Sequence, residues 1–145
     1  EFFGRLREVI GDRRDVRIVG DRFVLQSELL FDKGAATIGE NGTRELQALA
    51  TTLLEIALTM PGDIDWILRV DGHTDSDPIS TPQFPSNWEL STARAVSVVK
   101  YLKERGVAAE HLAATGFGEF QPIDPADDEI AYRRNRRIEL KLTQR

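Results

Sequence analysis

Apolar residues change their spacing several times along the chain, and each change marks a new kind of element. Phe2, Phe3, Leu6, Val9 and Ile10 fall three and four apart, the period of a short amphipathic helix that Gly4 weakens. Residues 16–19 then alternate like a strand, Gly20-Asp21 reads as a turn, and residues 22–25 resume extended structure, so a hairpin is expected. Leu29-Leu30-Phe31 is a brief apolar run broken by Asp32-Lys33-Gly34. From Asn41 the period turns helical: Leu46, Leu49, Ala50, Leu53, Leu54, Ala57 and Met60 lie on one stripe, which Pro61-Gly62 ends. Residues 64–70 predict a strand with Trp66, Leu68 and Val70 on one face and Ile67 on the other, the two-sided pattern of a central position.

A second helix has a clear start. Pro85 precedes Ser86, and Glu89 stands three residues on, as in a capping box. Ala95, Val98, Val99 and Leu102 form its buried stripe, and Gly106 is placed to cap its end. Residues 111–116 read as a short strand and 119–131 as an acidic loop. In 136–142 Ile138, Leu140 and Leu142 alternate with polar residues, as in a half-buried strand. The order β-α-β-α-β-β predicts a two-layer α/β (α+β) sandwich, with two helices on one face of a mixed sheet. Residues 1–20 are expected to form a helix-and-strand preamble and 21–145 the domain proper.

Composition narrows this picture. At 145 residues, 41% of them hydrophobic, the chain has the size and apolar content of one domain. Its net charge of −5 argues against nucleic acid as a partner. The basic run Arg133-Arg134-Asn135-Arg136-Arg137 follows an acidic loop and has only Tyr132 as a nearby aromatic, so it is read as strand-edge charge and local ion pairing. The sequence holds no cysteine, which excludes disulfides, thiolate metal sites and cysteine catalysis. No apolar run approaches the roughly 20 residues of a membrane span, and arginines interrupt any signal-like stretch. The start at Glu1 reads as that of a fragment or a processed form.

Candidate chemistry gathers between Arg69 and Arg94. Asp71, His73, Asp75 and Asp77 stand at alternate positions, and Asp71, His73 and Asp75 could serve a metal-dependent hydrolase. Gly72 and Pro78 are expected to end the strand, so these side chains should not share a face. Neither EF-hand spacing nor H-E-x-x-H occurs. No metal, cofactor or catalytic residue is therefore expected, and Asp71 and His73 are read as structural polar groups. Asp75 and Arg94 form an opposed pair, either an internal salt bridge or a clamp for a zwitterion. Residue chemistry alone leaves both open.

Four stretches in order, V-D-G-H-T-D at 70–75, S-N-W-E-L-S-T-A-R-A at 86–95, G-F-G-E-F-Q-P at 116–122 and R-R-N-R-R-I-E-L at 133–140, resemble the peptidoglycan-binding domain of the OmpA and MotB proteins. The resemblance implies non-covalent, non-catalytic binding to the diaminopimelate of the stem peptide. It assigns Asp75 and Arg94 to the ligand, Thr74, Asn87 and Leu90 to the pocket, Phe31-Asp32 to its entrance and Arg137 to a partly structural role. Gly34 stands where many members carry asparagine, which could cost a contact or leave the pocket vestigial. The insertion before Ser86 is similar to the motor-stator branch. The resemblance thus implies a periplasmic domain of a membrane-tethered parent in a Gram-negative envelope, either a stator with a MotA-like partner or a passive anchor without a motor role. A homodimer contact through Phe2, Phe3 and Leu6 is a further expectation.

Overall fold

A computed structural model of the chain describes residues 16–19, 22–59 and 65–144. Its strands are β1 (Val16–Val19), β2 (Arg22–Gln26), β3 (Trp66–His73), β4 (Leu112–Gly116) and β5 (Arg137–Gln144). The helices are α1 (Ser27–Leu30), α2 (Glu40–Thr59), α3 (Asn87–Glu104) and α4 (Glu129–Asn135), with a 3-10 turn over Ala109–His111. The strands form one sheet in the order β1-β2-β5-β3-β4, parallel only between β3 and β4.

The sheet register explains the core. Val70 pairs with Leu140, and Leu140 in turn with Phe23, while Ile138 pairs with Leu25. Side chains alternate across a strand, so these residues share one face. Leu46, Leu49, Ala50 and Leu53 of α2 pack on that face beside Ala95, Val98 and Leu102 of α3, all in one buried cluster. The two-layer sandwich expected from the apolar spacing is the fold observed. The long helices keep their expected limits to within a few residues, and Ser86 caps α3 by accepting a hydrogen bond from the Trp88 amide at 3.2 Å. The expected helix at 1–10 and turn at Gly20-Asp21 lie outside the described residues. No helix among the described residues is long and apolar enough to cross a membrane.

Two expectations need correction. β3 does not stop at Gly72 but runs on through His73, pairing Gly72 with Gly116 and Ile138, and His73 with Arg137. The glycine is there for the helix above it. A Cβ on Gly72 would collide with the Ser91 carbonyl, and one on Gly116 would lie 2.6 Å from the Thr92 amide nitrogen. The first half of α3 therefore seats directly on β3 and β4. The acidic loop also ends in a helix. Asp128 caps α4 by accepting from the Ala131 amide at 2.8 Å. Asn135 closes α4 by tying back the loop, accepting from the Ile123 and Asp124 amides and donating to the Asp124 carbonyl.

Candidate functional site

Where β3 leaves the sheet, Thr74 and Asp75 open into a cavity of about 370 Å³ lined from four directions. α1 and the turn after it contribute Glu28, Phe31, Lys33 and Gly34; the β3–α3 loop contributes Asp77, Pro78 and Ile79; α3 contributes Asn87, Leu90 and Arg94; and Glu129, Tyr132 and Arg136 come from α4 and the residue that follows it. Phe31, Leu90 and Arg94 are almost fully buried around a pocket that carries charges of both signs.

Each charged group is held in place by hydrogen bonds to its neighbours. Asp75 Oδ1 accepts the Asp77 amide at 3.0 Å, and Oδ2 accepts Arg136 Nη1 at 2.7 Å. Arg136 also donates to Glu28 at 2.6 Å and Glu129 at 3.0 Å. Partial burial lowers its pKa, but those three hydrogen bonds outweigh the burial and raise it above the ordinary guanidinium value. Arg94 donates from Nε to the Ala35 carbonyl at 2.8 Å and from Nη2 to the Asp32 carbonyl at 3.2 Å, and its guanidinium lies 5.1 Å from the centre of the Phe31 ring. These contacts leave Arg94 Nη1 without an acceptor among the described residues. Burial lowers the Arg94 pKa, so an anion entering the pocket would be favoured. Asn87 donates to the Asp77 carbonyl at 3.1 Å and to Glu119 at 3.3 Å, fixing the loop against the start of α3.

The pocket gathers Asp75, Arg94, Thr74, Asn87, Leu90 and Phe31, six of the eight residues singled out in the sequence. Asp75 and Arg94 are not salt-bridged to each other; Asp75 pairs with Arg136 instead. Asp32 reaches the site only through its backbone carbonyl, which holds Arg94. Arg137 is absent from the pocket, and its neighbour Arg136 stands there. Strand alternation is the reason: β5 begins at Arg137, whose side chain points to the sheet face opposite the helices. Sequence reasoning missed Arg136, Glu28 and Tyr132. The available signal was the pair of adjacent arginines, of which only one can face the pocket. Gly34 takes φ +70°, a conformation open to glycine and tolerated by asparagine, and an added Cβ would meet only Ile79 at 4.0 Å. Glycine at this position therefore fits the backbone of the pocket wall without strain.

On the opposite sheet face Asp71, His73 and Glu139 come together, with one potential ligand atom from each within 4.8 Å of the others. Their environment does not suit a cation. Arg69 binds Asp71 bidentately at 2.7 and 2.9 Å, while Arg22 and Arg137 hold the two Glu139 oxygens at 3.0 and 2.6 Å. A divalent ion would have to displace arginines from both carboxylates. Burial, reinforced by Arg137, lowers the His73 pKa to about 4, and Phe117 stacks on its ring at 4.8 Å. Neither ring nitrogen has a hydrogen-bond partner among the described residues. His73 and Asp71 face away from Asp75, so the three-residue hydrolase arrangement is not assembled.

Comparison with known proteins agrees with this fold. Residues 30–136 match the OmpA family. An uncharacterized protein of Bacillus subtilis, YtxE, is 38% identical over 132 residues, covering 90% of this chain and 50% of that protein. Among solved structures, a MotB-like protein from Desulfovibrio vulgaris superposes with a TM-score of 0.82 at 29% identity, over 97% of this chain and 88% of that one. The cell wall anchor of the T6SS from Pseudomonas aeruginosa superposes with a TM-score of 0.77 at 26% identity, over 98% of this chain and 96% of that one. The chain spans about half the length of the curated relatives it matches. By the extent of the family match and by its fold, the chain belongs to the OmpA family.

Proposed function

We propose that this domain binds peptidoglycan without catalysis, by clamping the zwitterionic end of diaminopimelate in the stem peptide, and so anchors a longer protein to the cell wall. Asp75 takes the ammonium group and Arg94 Nη1, with the spare hydrogen on Nη2, takes the carboxylate. Asp75 retains acceptor capacity beside its two bonds, since a carboxylate offers about four lone-pair sites. The observation that carries the reading is the arrangement of Asp75 and Arg94: both line one cavity, each is fixed by other groups, and they do not neutralise each other. A cell wall anchor of the same fold supports it.

One small zwitterion buries little area and must be desolvated, so single-site affinity is expected to be low, with retention coming from many copies acting together. Membrane tethering, a periplasmic location, a MotA-like partner and a homodimer are extensions of this reading to the whole protein. A motor role and a passive anchor are supported equally, because a MotB-like protein and a secretion-system anchor superpose about equally well. The test is sedimentation with insoluble peptidoglycan. Wild type should pellet and Asp75→Asn, which keeps an acceptor for the Asp77 amide but loses the charge, should stay in the supernatant. Equal pelleting of the two would reject the assignment.

A further inference from the structure

Beside the pocket, outside its lining, lies a pair of aromatic rings that core packing does not explain. Trp88 and Phe120 stack on each other with centroids 4.9 Å apart and planes inclined at 28°. They nevertheless remain 51% and 56% exposed, in a protein that buries most of its large apolar residues. Two exposed rings in contact form a small apolar patch at the edge of a charged pocket.

The pair is tied to the pocket wall through its neighbours in the chain. Trp88 follows Asn87 in the first turn of α3, and Phe120 follows Glu119, whose carboxylate accepts from Asn87. Both rings therefore extend one residue beyond a hydrogen bond at the edge of the cavity. Gly118 lies beneath them, at φ +63°; a Cβ there would crowd Phe120 at 3.3 Å and meet Trp88 in ordinary contact at 3.6 Å. Gly118 is itself fixed, donating to Ser91 Oγ at 2.9 Å and accepting from the Thr74 amide at 2.9 Å. Thr74 is the residue before Asp75, so one short chain of hydrogen bonds sets both the platform and the ligand carboxylate.

We propose that Trp88 and Phe120 are a sugar-binding platform, taking the apolar face of an amino-sugar ring in the glycan strand that carries the stem peptide. This rests on the reading of the pocket as a stem-peptide site. With the third residue of the peptide held at Asp75 and Arg94, two residues, or about 7 Å of extended chain, separate it from the sugar. Trp88 is the next residue after the pocket-lining Asn87, so the platform adjoins the pocket that takes the peptide. Pyranose rings present axial C–H bonds on one face, and the negative face of an aromatic ring attracts them. The platform would make the domain select peptide still attached to glycan over peptide already released from it.

Calorimetry with two probes tests the inference: a stem tripeptide ending in diaminopimelate, and the same tripeptide attached to its disaccharide. Wild type should bind the disaccharide form roughly three- to tenfold tighter, the range one aromatic contact supplies. Trp88→Ala and Phe120→Ala should each lose that gain while binding the free tripeptide as wild type does. An equal affinity of wild type for both probes would overturn the platform and leave the pocket reading intact. So would a gain that survives in both variants, or an equal loss on both probes. Failure of wild type to bind either probe would overturn the pocket reading and the platform with it.

Discussion

Arg136 and Arg137 are neighbours in sequence and end up in regions of opposite character. Arg137 points to the sheet face away from the helices, where each of its three nitrogens donates in a buried setting, to Glu139, the Asn135 carbonyl and the Gln121 carbonyl. Arg136 points to the pocket, where it binds three carboxylates, two of them solvent-exposed. The same division separates Asp71, fully buried and held bidentately by Arg69, from Asp75 four residues later, which faces the cavity. One set of charges closes on itself and stabilises the fold. The other leaves Arg94 Nη1 uncommitted and keeps its remaining charges at a cavity wall. The two sets differ in where they stand: one is enclosed by the sheet face, the other lines a cavity and includes a guanidinium nitrogen with no acceptor among the described residues.

The sharpest way to break this contrast is to remove a member of the closed set. Arg137→Ala leaves Glu139 buried without its shortest partner, so a loss of about 3–5 kcal/mol is expected in urea unfolding. A pH titration of stability probes the same region. His73 has its pKa lowered from 6.5 to about 4 in the folded state, so the unfolded chain binds the proton more readily between those values. Its contribution, about 3 kcal/mol, is complete above pH 6.5 and is lost as pH falls toward 4. His73→Phe should flatten stability across that window and keep the stacking on Phe117. Glu139 acts in the same direction at lower pH. Burial alone would raise its pKa, but the bond to Arg137 and the charges around it lower it, so acid also removes its contribution. Gly72→Ala tests the seat of α3; lifting the helix from β3 should cost about 1–3 kcal/mol, read as a lower melting temperature. A smaller effect is expected from the open set: Arg136→Ala should cost less than Arg137→Ala, because Glu28 and Glu129 are solvated without it and Asp75, though buried, faces the cavity and keeps the Asp77 amide.

Much of this was legible in the sequence, for reasons that differ between elements. α2 and β5 announce themselves by period, and α3 by Ser86 and Glu89, because local pattern and final environment agree there. β3 was read too short because Gly72 looks like a break when only the chain is seen. Its meaning depends on Ser91, nineteen residues away, pressing on it from α3. α4 has only seven residues and little apolar stripe, so its capping aspartate is its main signal. Asp75 and Arg94 were recognisable through the motifs around them. Arg136 was not, because the choice between two adjacent arginines depends on where β5 begins, and a strand boundary is the feature sequence patterns locate least well.

The central claim is that Asp75 and Arg94 hold the two charges of one zwitterion. It is tested most directly by titrating the chain with a stem tripeptide ending in diaminopimelate and with its counterpart ending in lysine, which keeps the side-chain ammonium and lacks the side-chain carboxylate. Diaminopimelate should bind at least about tenfold tighter, because only that ligand carries a carboxylate on the same carbon as the side-chain ammonium, placed for Arg94 while Asp75 holds the ammonium. Arg94→Lys should narrow the gap, since an ammonium cannot reproduce the fork of the guanidinium. Equal affinity of wild type for the two tripeptides would contradict the claim.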